Sequence, residues 1–475
     1  MKLGFTPLLD TSSSTPIYVQ LYQYIRSQIE NGSIGPGTVL TSIRQLAQHL
    51  SISKNTVETA YQQLLAEGYI QSRERNGYIV LPLEQLSESL EHHTAASEAS
   101  ESLHKIAAAP SKKIKYDFKY GDIELSRFPL AHWKKCMIEA LSHPDINVLG
   151  YGDRQGHEGL RTEIADMVFQ SRGISCKPEQ IVLCAGTQHA VSLLCQLLQL
   201  REKTVGIEDP GYHGVRTVLR NHGCKLVPVV LEKDGISLES LRASGVDTVY
   251  VTPSHQFPLG MVLPVQKRLQ LLQWAADTRS YIIEDDYDSE FRYNSKPIPS
   301  LKALDRQERV IYLGTFSKSF LPAARLSYII FPPELLHDIQ DELQNYSQAV
   351  SPIIQQAIWH FMRRGDYARH VRRMKRLYQA KHKALTAAIS LYLNERTEMI
   401  GGDSGLHILL DVKGKSRSSL IDHAARLGCK VYNPERHWLD PKCCPDSYIM
   451  IGFGGLSEEE LIAGIKLLNK AWFSA

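Results

Sequence analysis

The sequence has no run that approaches the roughly 18 uninterrupted apolar residues of a membrane-spanning helix. Its start, MKLGFTPLLDTSSSTP, lacks the apolar stretch and cleavage site of a secretory signal. A cytoplasmic chain with no membrane partner is the expectation. Patterned cysteine is also missing: eight cysteines are scattered over 475 residues and read as reduced thiols rather than a disulfide frame. The adjacent Cys443 and Cys444, near Cys429 and His437, do not keep the usual zinc spacings, so no metal site is expected. Nor is there an excess of one charge. With 54 Lys and Arg against 51 Asp and Glu, a net charge of +3, composition announces no nucleic-acid partner, and any such contact has to be local. The length suffices for about two to four domains, and no internal repeat is present.

What the chain does contain changes in texture twice. Over residues 1–82, Ile17, Leu21, Ile25 and Ile29 recur at steps of four on one helix face. Ser42 then caps a short helix, IRQLAQHL, and Ser53 caps a longer one, KNTVETAYQQLLAEG, whose inner stripe is expected to be Val57, Ala60, Leu64 and Leu65. YIQSRE and YIVLP follow as short strands with a turn at Asn76 and Gly77. Three helices and a hairpin make a winged helix-turn-helix. Residues 83–114, rich in Ser, Ala, Glu and Lys, have too little to bury and read as a linker. From 115 to 475 strands alternate with helices, so the fold class is α/β: a mostly parallel sheet covered on both faces, with a small C-terminal α+β subdomain from about 340.

In a helix-turn-helix the second helix enters the major groove with its first residues facing base edges. Lys54, Asn55 and Thr56 occupy that place, Arg44 on the preceding helix can reach a phosphate, and Arg73 and Arg75 beside Gly77 can follow the backbone. The segment PGTVLTSIRQLAQHLSISKNTVETAYQQLLAEGYIQSRERNGYIV resembles the GntR-type winged-helix module, with Lys54 where arginine is common. Lysine keeps the phosphate attraction and loses the bidentate geometry.

Lys318 lies just after the strand VIYLGTF, in GTFSKSFLPAAR. A desolvated lysine there can deprotonate and condense with an aldehyde. If the aldehyde is pyridoxal 5'-phosphate (PLP), a phosphate cup, a carboxylate for the pyridine nitrogen and a flat group against the ring are also needed. AGTQHA, between a strand and a helix, offers Gly186, Thr187 and Gln188 to a phosphate. IEDDYDSEF offers Asp285 for the nitrogen and Tyr287 for the phenolic oxygen; EDPGYHG offers Tyr212 for stacking; Thr315, Ser317 and Arg325 complete the phosphate site. Any one of these is weak, but together they stand in order at the ends of parallel strands.

The arrangement resembles fold-type-I PLP enzymes, the aspartate aminotransferase superfamily, over 115–475. That resemblance implies that Tyr151 reaches the phosphate of a partner subunit in a homodimer. Two positions depart from it. Phe257, in PSHQFPLG, stands at the apparent place of an asparagine that bonds the ring oxygen, leaving Tyr287, His255 or Gln256 to compensate. Met450 stands where many relatives carry the arginine that grips a substrate carboxylate, and Arg436 is the alternative effector anchor.

The whole chain resembles the MocR-type regulators, including the GabR-like proteins, through AYQQLLAEGY, TPSHQFP, YIIEDDYDSEF and GTFSKS. The resemblance implies a bacterial transcription factor, a head-to-tail dimer that binds promoter DNA and senses a small amino compound through an external aldimine that displaces Lys318. The competing reading is an active aminotransferase with an accessory DNA-binding domain; Phe257 and Met450 weigh against efficient turnover.

Overall fold

The computed structural model describes residues 9, 10, 13, 15–73, 77–82, 114–142, 148–293, 299–402 and 404–473. Contacts divide the chain into two units, Met1–Pro110 and Ser111–Ala475. In the first, α1 (Ile17–Glu30) buries Leu21, Tyr22, Ile25 and Ile29, and Ile17 is half-buried. In α2 (Ile43–Leu50) the side chain of Ser42 accepts from Gln45 N, and Ser51 ends the helix in the left-handed region. Helix α3 (Lys54–Ala66) buries Val57, Ala60, Tyr61 and Leu64. Leu65, expected on this stripe, is 38% exposed: it lies about 100° round the helix from Leu64, and Tyr61 fills the inner place instead.

Strands β1 (Ile70–Arg73) and β2 (Gly77–Val80) pair antiparallel with Arg73 opposite Gly77. Gly77 therefore opens the strand rather than sitting in the turn, and its φ of 75° explains the glycine. Arg75 and Asn76 lie outside the described residues, as does nearly all of the expected linker.

In the second unit, β3 (Tyr116–Asp117) precedes the main sheet, formed by β4 (Ile181–Cys184), β5 (Thr204–Asp209), β6 (Lys225–Glu232), β7 (Gly235–Ile236), β8 (Thr248–Val251), β9 (Tyr281–Asp286), β10 (Val310–Thr315) and β11 (Ser327–Ile330). Their order is β4-β11-β10-β9-β8-β5-β6-β7. Strand β11 runs antiparallel to both neighbours and β7 to β6; the other pairs are parallel. Strands β4, β8 and β10 are buried along their whole length, as expected of a sheet covered on both faces. The carboxyl ends of β4, β5, β8, β9 and β10 share one edge.

The smaller subdomain has strands β12 (Thr397–Ile400), β13 (His407–Val412), β14 (Cys429–Lys430) and β15 (Tyr448–Gly452), with β12-β13-β15 forming an antiparallel sheet. Helices Asp366–Tyr392 and Glu458–Phe473 share its core through Tyr378, Leu385, Leu461 and Ile465. This subdomain is not purely C-terminal: β3 pairs in parallel with β14, and Tyr116 and Phe118 enter its core. Phe118 lies so close to Gly464 that a Cβ there would stand 2.5 Å from its ring. Among the described residues no helix is long and apolar enough to cross a membrane.

Candidate functional site

At the shared edge of the sheet lies a cavity of about 250 Å3. Each neighbouring strand end contributes to it. After β4 come Thr187 and Gln188, after β5 Tyr212, after β8 Thr252 and Phe257; β9 and its exit give Asp285 and Tyr287, and β10 and its exit give Thr315, Ser317 and Lys318. Arg325 and Pro322 close the wall from the segment after Lys318, and Tyr120 and Gly121 from the segment after β3.

Lys318 donates from Nζ to Gly121 O (3.2 Å), and its ammonium stands 4.8 Å from the centre of the Tyr120 ring. Burial lowers its amine to about 8, against the smaller upward pull of Asp288 and Asp122. Asp285 is 4% exposed. One of its oxygens accepts from the Tyr250 hydroxyl, while Oδ1 has no hydrogen-bond partner among the described residues. Burial pushes this carboxyl up to about 7.

Gly186 caps helix Thr187–Leu197 at φ 93°, and a Cβ there would overlap the Arg325 guanidinium. Arg325 donates from Nη2 to Ala185 O (3.3 Å), its own backbone held at φ 48°. A non-glycine residue there carries a small strain. The guanidinium is thus set over the amino end of a helix, where backbone N–H groups and the dipole already favour an anion. Thr315 donates from Oγ1 to Ser317 Oγ (3.0 Å) and accepts from Ser317 N (3.2 Å), fixing the turn before the lysine.

Phe257 meets Tyr212 edge-on at 5.6 Å and lies 5.0 Å from Tyr120. Of the three groups expected to compensate for it, Gln256 does not: its amide donates to Pro210 O (2.9 Å) and Phe257 O (2.6 Å) and accepts from Leu259 N (3.1 Å), holding the loop together. His255 is buried behind Tyr287, whose hydroxyl is 2.9 Å from its Nδ1. Tyr287 alone of the three lines the cavity. Met450 is buried with Phe257 and Leu409.

Arg436 is exposed and does not line the cavity, although its charge is felt at Tyr120, Tyr212 and His213. Tyr151 is 86% exposed and also stands apart from it. No group of three or more His, Cys, Asp or Glu among the described residues could hold a metal ion.

Tyr120, Gly121, Thr252 and Pro322 also line the cavity and are not legible in the sequence as site residues. Thr252 follows the end of β8 directly. Tyr120 and Gly121 carried no local signal, because only the pairing of β3 with β14 brings them in.

In the first unit, Ser53 accepts from Thr56 N at 3.1 Å and caps α3. Lys54 and Asn55 on its first turn are exposed, Thr56 is half-buried with Oγ1 2.8 Å from Ser53 Oγ, and Arg44 on α2, Arg73 and Gly77 are exposed.

The chain matches the family described as bacterial regulatory proteins, gntR family, over residues 17–80, and aminotransferase class I and II over 113–432. It is 40% identical to the HTH-type transcriptional regulator YhdI of Bacillus subtilis, over 99% of this chain and 98% of that one. It is 32% identical to the probable rhizopine catabolism regulatory protein MocR of Rhizobium meliloti, over 98% and 96%. Its fold is similar to that of the Pyrococcus horikoshii kynurenine aminotransferase solved with PMP, at a TM-score of 0.68 and 22% identity, over 82% of this chain and 98% of that one. The chain belongs to the gntR family of bacterial transcriptional regulators, with the DNA-binding domain of that family fused to a domain of the class I and II aminotransferase family.

Proposed function

We propose that this regulator holds PLP in the cavity and reads the arrival of a small amino compound there as a change in promoter binding. The observation that carries the reading is Asp285 Oδ1, a buried acceptor with no hydrogen-bond partner among the described residues, in the same cavity as the lysine whose amine burial has lowered. A buried unsatisfied acceptor is costly, and the protonated nitrogen of a pyridine ring satisfies it. Thr187, Ser317, Arg325 and the amino end of helix Thr187–Leu197 would hold the phosphate, and Tyr212 would lie against the ring. When bound, PLP supplies an aldehyde carbon that exchanges one amine for another.

Lys318 supplies the resting amine, and Gly121 O orients it. An effector amine that replaces it leaves Lys318 free to make different contacts, which gives one conformation an advantage over another. A coupling of roughly 1–3 kcal/mol changes promoter occupancy several-fold or more. Arg436, whose charge is felt at Tyr120 and Tyr212 on the cavity wall, would anchor an acidic group on the effector. The α3 residues Lys54, Asn55 and Thr56 face base edges, with Arg44, Arg73 and Arg75 on phosphates. The protein works in the bacterial cytoplasm as a homodimer, in which Tyr151, with exposed Leu149 and Ile138 nearby in sequence, is covered by a second copy. Phe257 and Met450 leave the site without two polar groups for turnover, so regulation rather than sustained transamination is its task.

Promoter affinity tests this reading. It is measured with and without an amine panel, on PLP-loaded protein and on the same protein after borohydride reduction. An amine should shift affinity in the first and not in the second, where Lys318 can no longer be displaced. Equal responses in both would remove Lys318 from the signal.

A further inference from the structure

On the wall beside Asp285, Phe257 offers no hydrogen bond. The Thr252 hydroxyl is committed, donating to Glu208 Oε2 (2.7 Å) and accepting from Phe257 N (3.1 Å). Tyr287 differs. Its hydroxyl lies 2.9 Å from His255 Nδ1, and the same nitrogen lies 2.9 and 3.1 Å from the two carboxylate oxygens of Asp288. His255 and Asp288 are each 2% exposed.

A ring nitrogen carries either a hydrogen or a lone pair. A lone pair on Nδ1 would face both carboxylate oxygens, a repulsive arrangement; a hydrogen there is shared between Asp288 and the Tyr287 oxygen. Nε2 then carries the lone pair, and it has no hydrogen-bond partner among the described residues. Having accepted from His255, the Tyr287 hydroxyl turns its own hydrogen toward the cavity. Burial first, and then the charge of Asp288, pushes this phenol well above its ordinary range, so it keeps that hydrogen. His407, with its ring 5.2 Å from that of His255, is held neutral by burial. A Cβ at Gly405 would overlap His255 and stand 2.5 Å from Asp288 Oδ2, so the pair fills a slot that glycine leaves open.

We infer that His255 and Asp288 are a positioning pair that fixes Tyr287 as a hydrogen-bond donor into the cavity, aimed at an anionic ring oxygen on the ligand held between Asp285 and Lys318. The inference rests on the PLP reading, with the phenolic oxygen of PLP as the acceptor. It assigns to a tyrosine, held from behind, the bond that the Phe257 side chain cannot make.

Two measurements test it. In PLP-loaded protein, Tyr287→Phe removes the donor and should raise the pH midpoint of the visible band, because the more anionic form loses its hydrogen bond. His255→Leu, which removes the positioning N–H and no charge, should move the midpoint in the same direction by a smaller amount, and a midpoint unchanged by His255→Leu where Tyr287→Phe moves it would overturn the inference. In 15N-histidine-labelled protein without PLP, the His255 resonance, assigned by its loss in His255→Asn, should show hydrogen on Nδ1; hydrogen on Nε2 would overturn it. If wild-type protein takes up PLP with no visible band, the cofactor reading fails, and the nitrogen resonance still decides the tautomer.

Discussion

Lys318 can serve as an exchangeable amine only if it is unprotonated for part of the time. An ordinary lysine, near 10.5, offers almost no free amine at neutral pH, whereas burial brings this one to about 8. The rate at which cofactor-free protein captures PLP should therefore rise about tenfold from pH 7 to 9 and then level off. A stopped-flow pH series in which the rate climbs steadily to pH 10 would show an ordinary lysine instead. The linked effect on stability has a definite sign. Between about 8 and the ordinary lysine value, the unfolded chain binds a proton that the folded chain does not, so this residue's burial costs less stability as pH rises through that range.

Lys318, Asp285, Tyr212 and Tyr287 were legible as candidates because each lies at or just beyond the end of an apolar strand, and strand ends can be read from the sequence. Gln256 was not separable from Tyr287 that way: neighbouring loop residues point in different directions, and only the fold shows that the amide of Gln256 ties its own loop.

Among the elements, α3 is the one proposed to face DNA, and its cap and its apolar face serve different ends. Val57, Ala60, Tyr61 and Leu64 fix the helix to its own core, leaving Lys54 and Asn55 exposed on the first turn. Lys54→Ala should leave the melting temperature almost unchanged, weaken promoter binding by about 1–3 kcal/mol and relax discrimination at the base it faces. Fluorescence anisotropy with promoter DNA and with base-substituted promoter DNA reads this, and an unchanged affinity and specificity would take Lys54 out of the interface. The helices and strands of both units followed from periodicity and capping, but Leu65 shows the limit of the method. Two adjacent leucines satisfy the same pattern, and the choice between them depends on the angle at which α1 and α2 meet α3. Strand β3 shows a second limit, since its partner β14 lies some 300 residues on and two paired residues leave no periodic trace.

Along the whole chain, an aminotransferase-family domain is joined to a gntR-type DNA-binding domain. Two such chains would place two winged helices on one DNA, which raises affinity through effective concentration rather than charge. That fits a chain whose net charge is +3. Sedimentation should give a dimer, and Tyr151→Ala should loosen PLP without unfolding the chain if its hydroxyl reaches the partner's phosphate site; a monomer with full PLP affinity would refute the shared site.

PLP is proposed to be held by one particular amine of this regulator, Lys318. The most direct measurement incubates the protein with PLP, reduces it with borohydride and locates the added pyridoxyl group by peptide mass spectrometry. One modified peptide, carrying the group on Lys318, is expected, and none there in Lys318→Ala. A group spread over exposed lysines, or absent from Lys318, would contradict it.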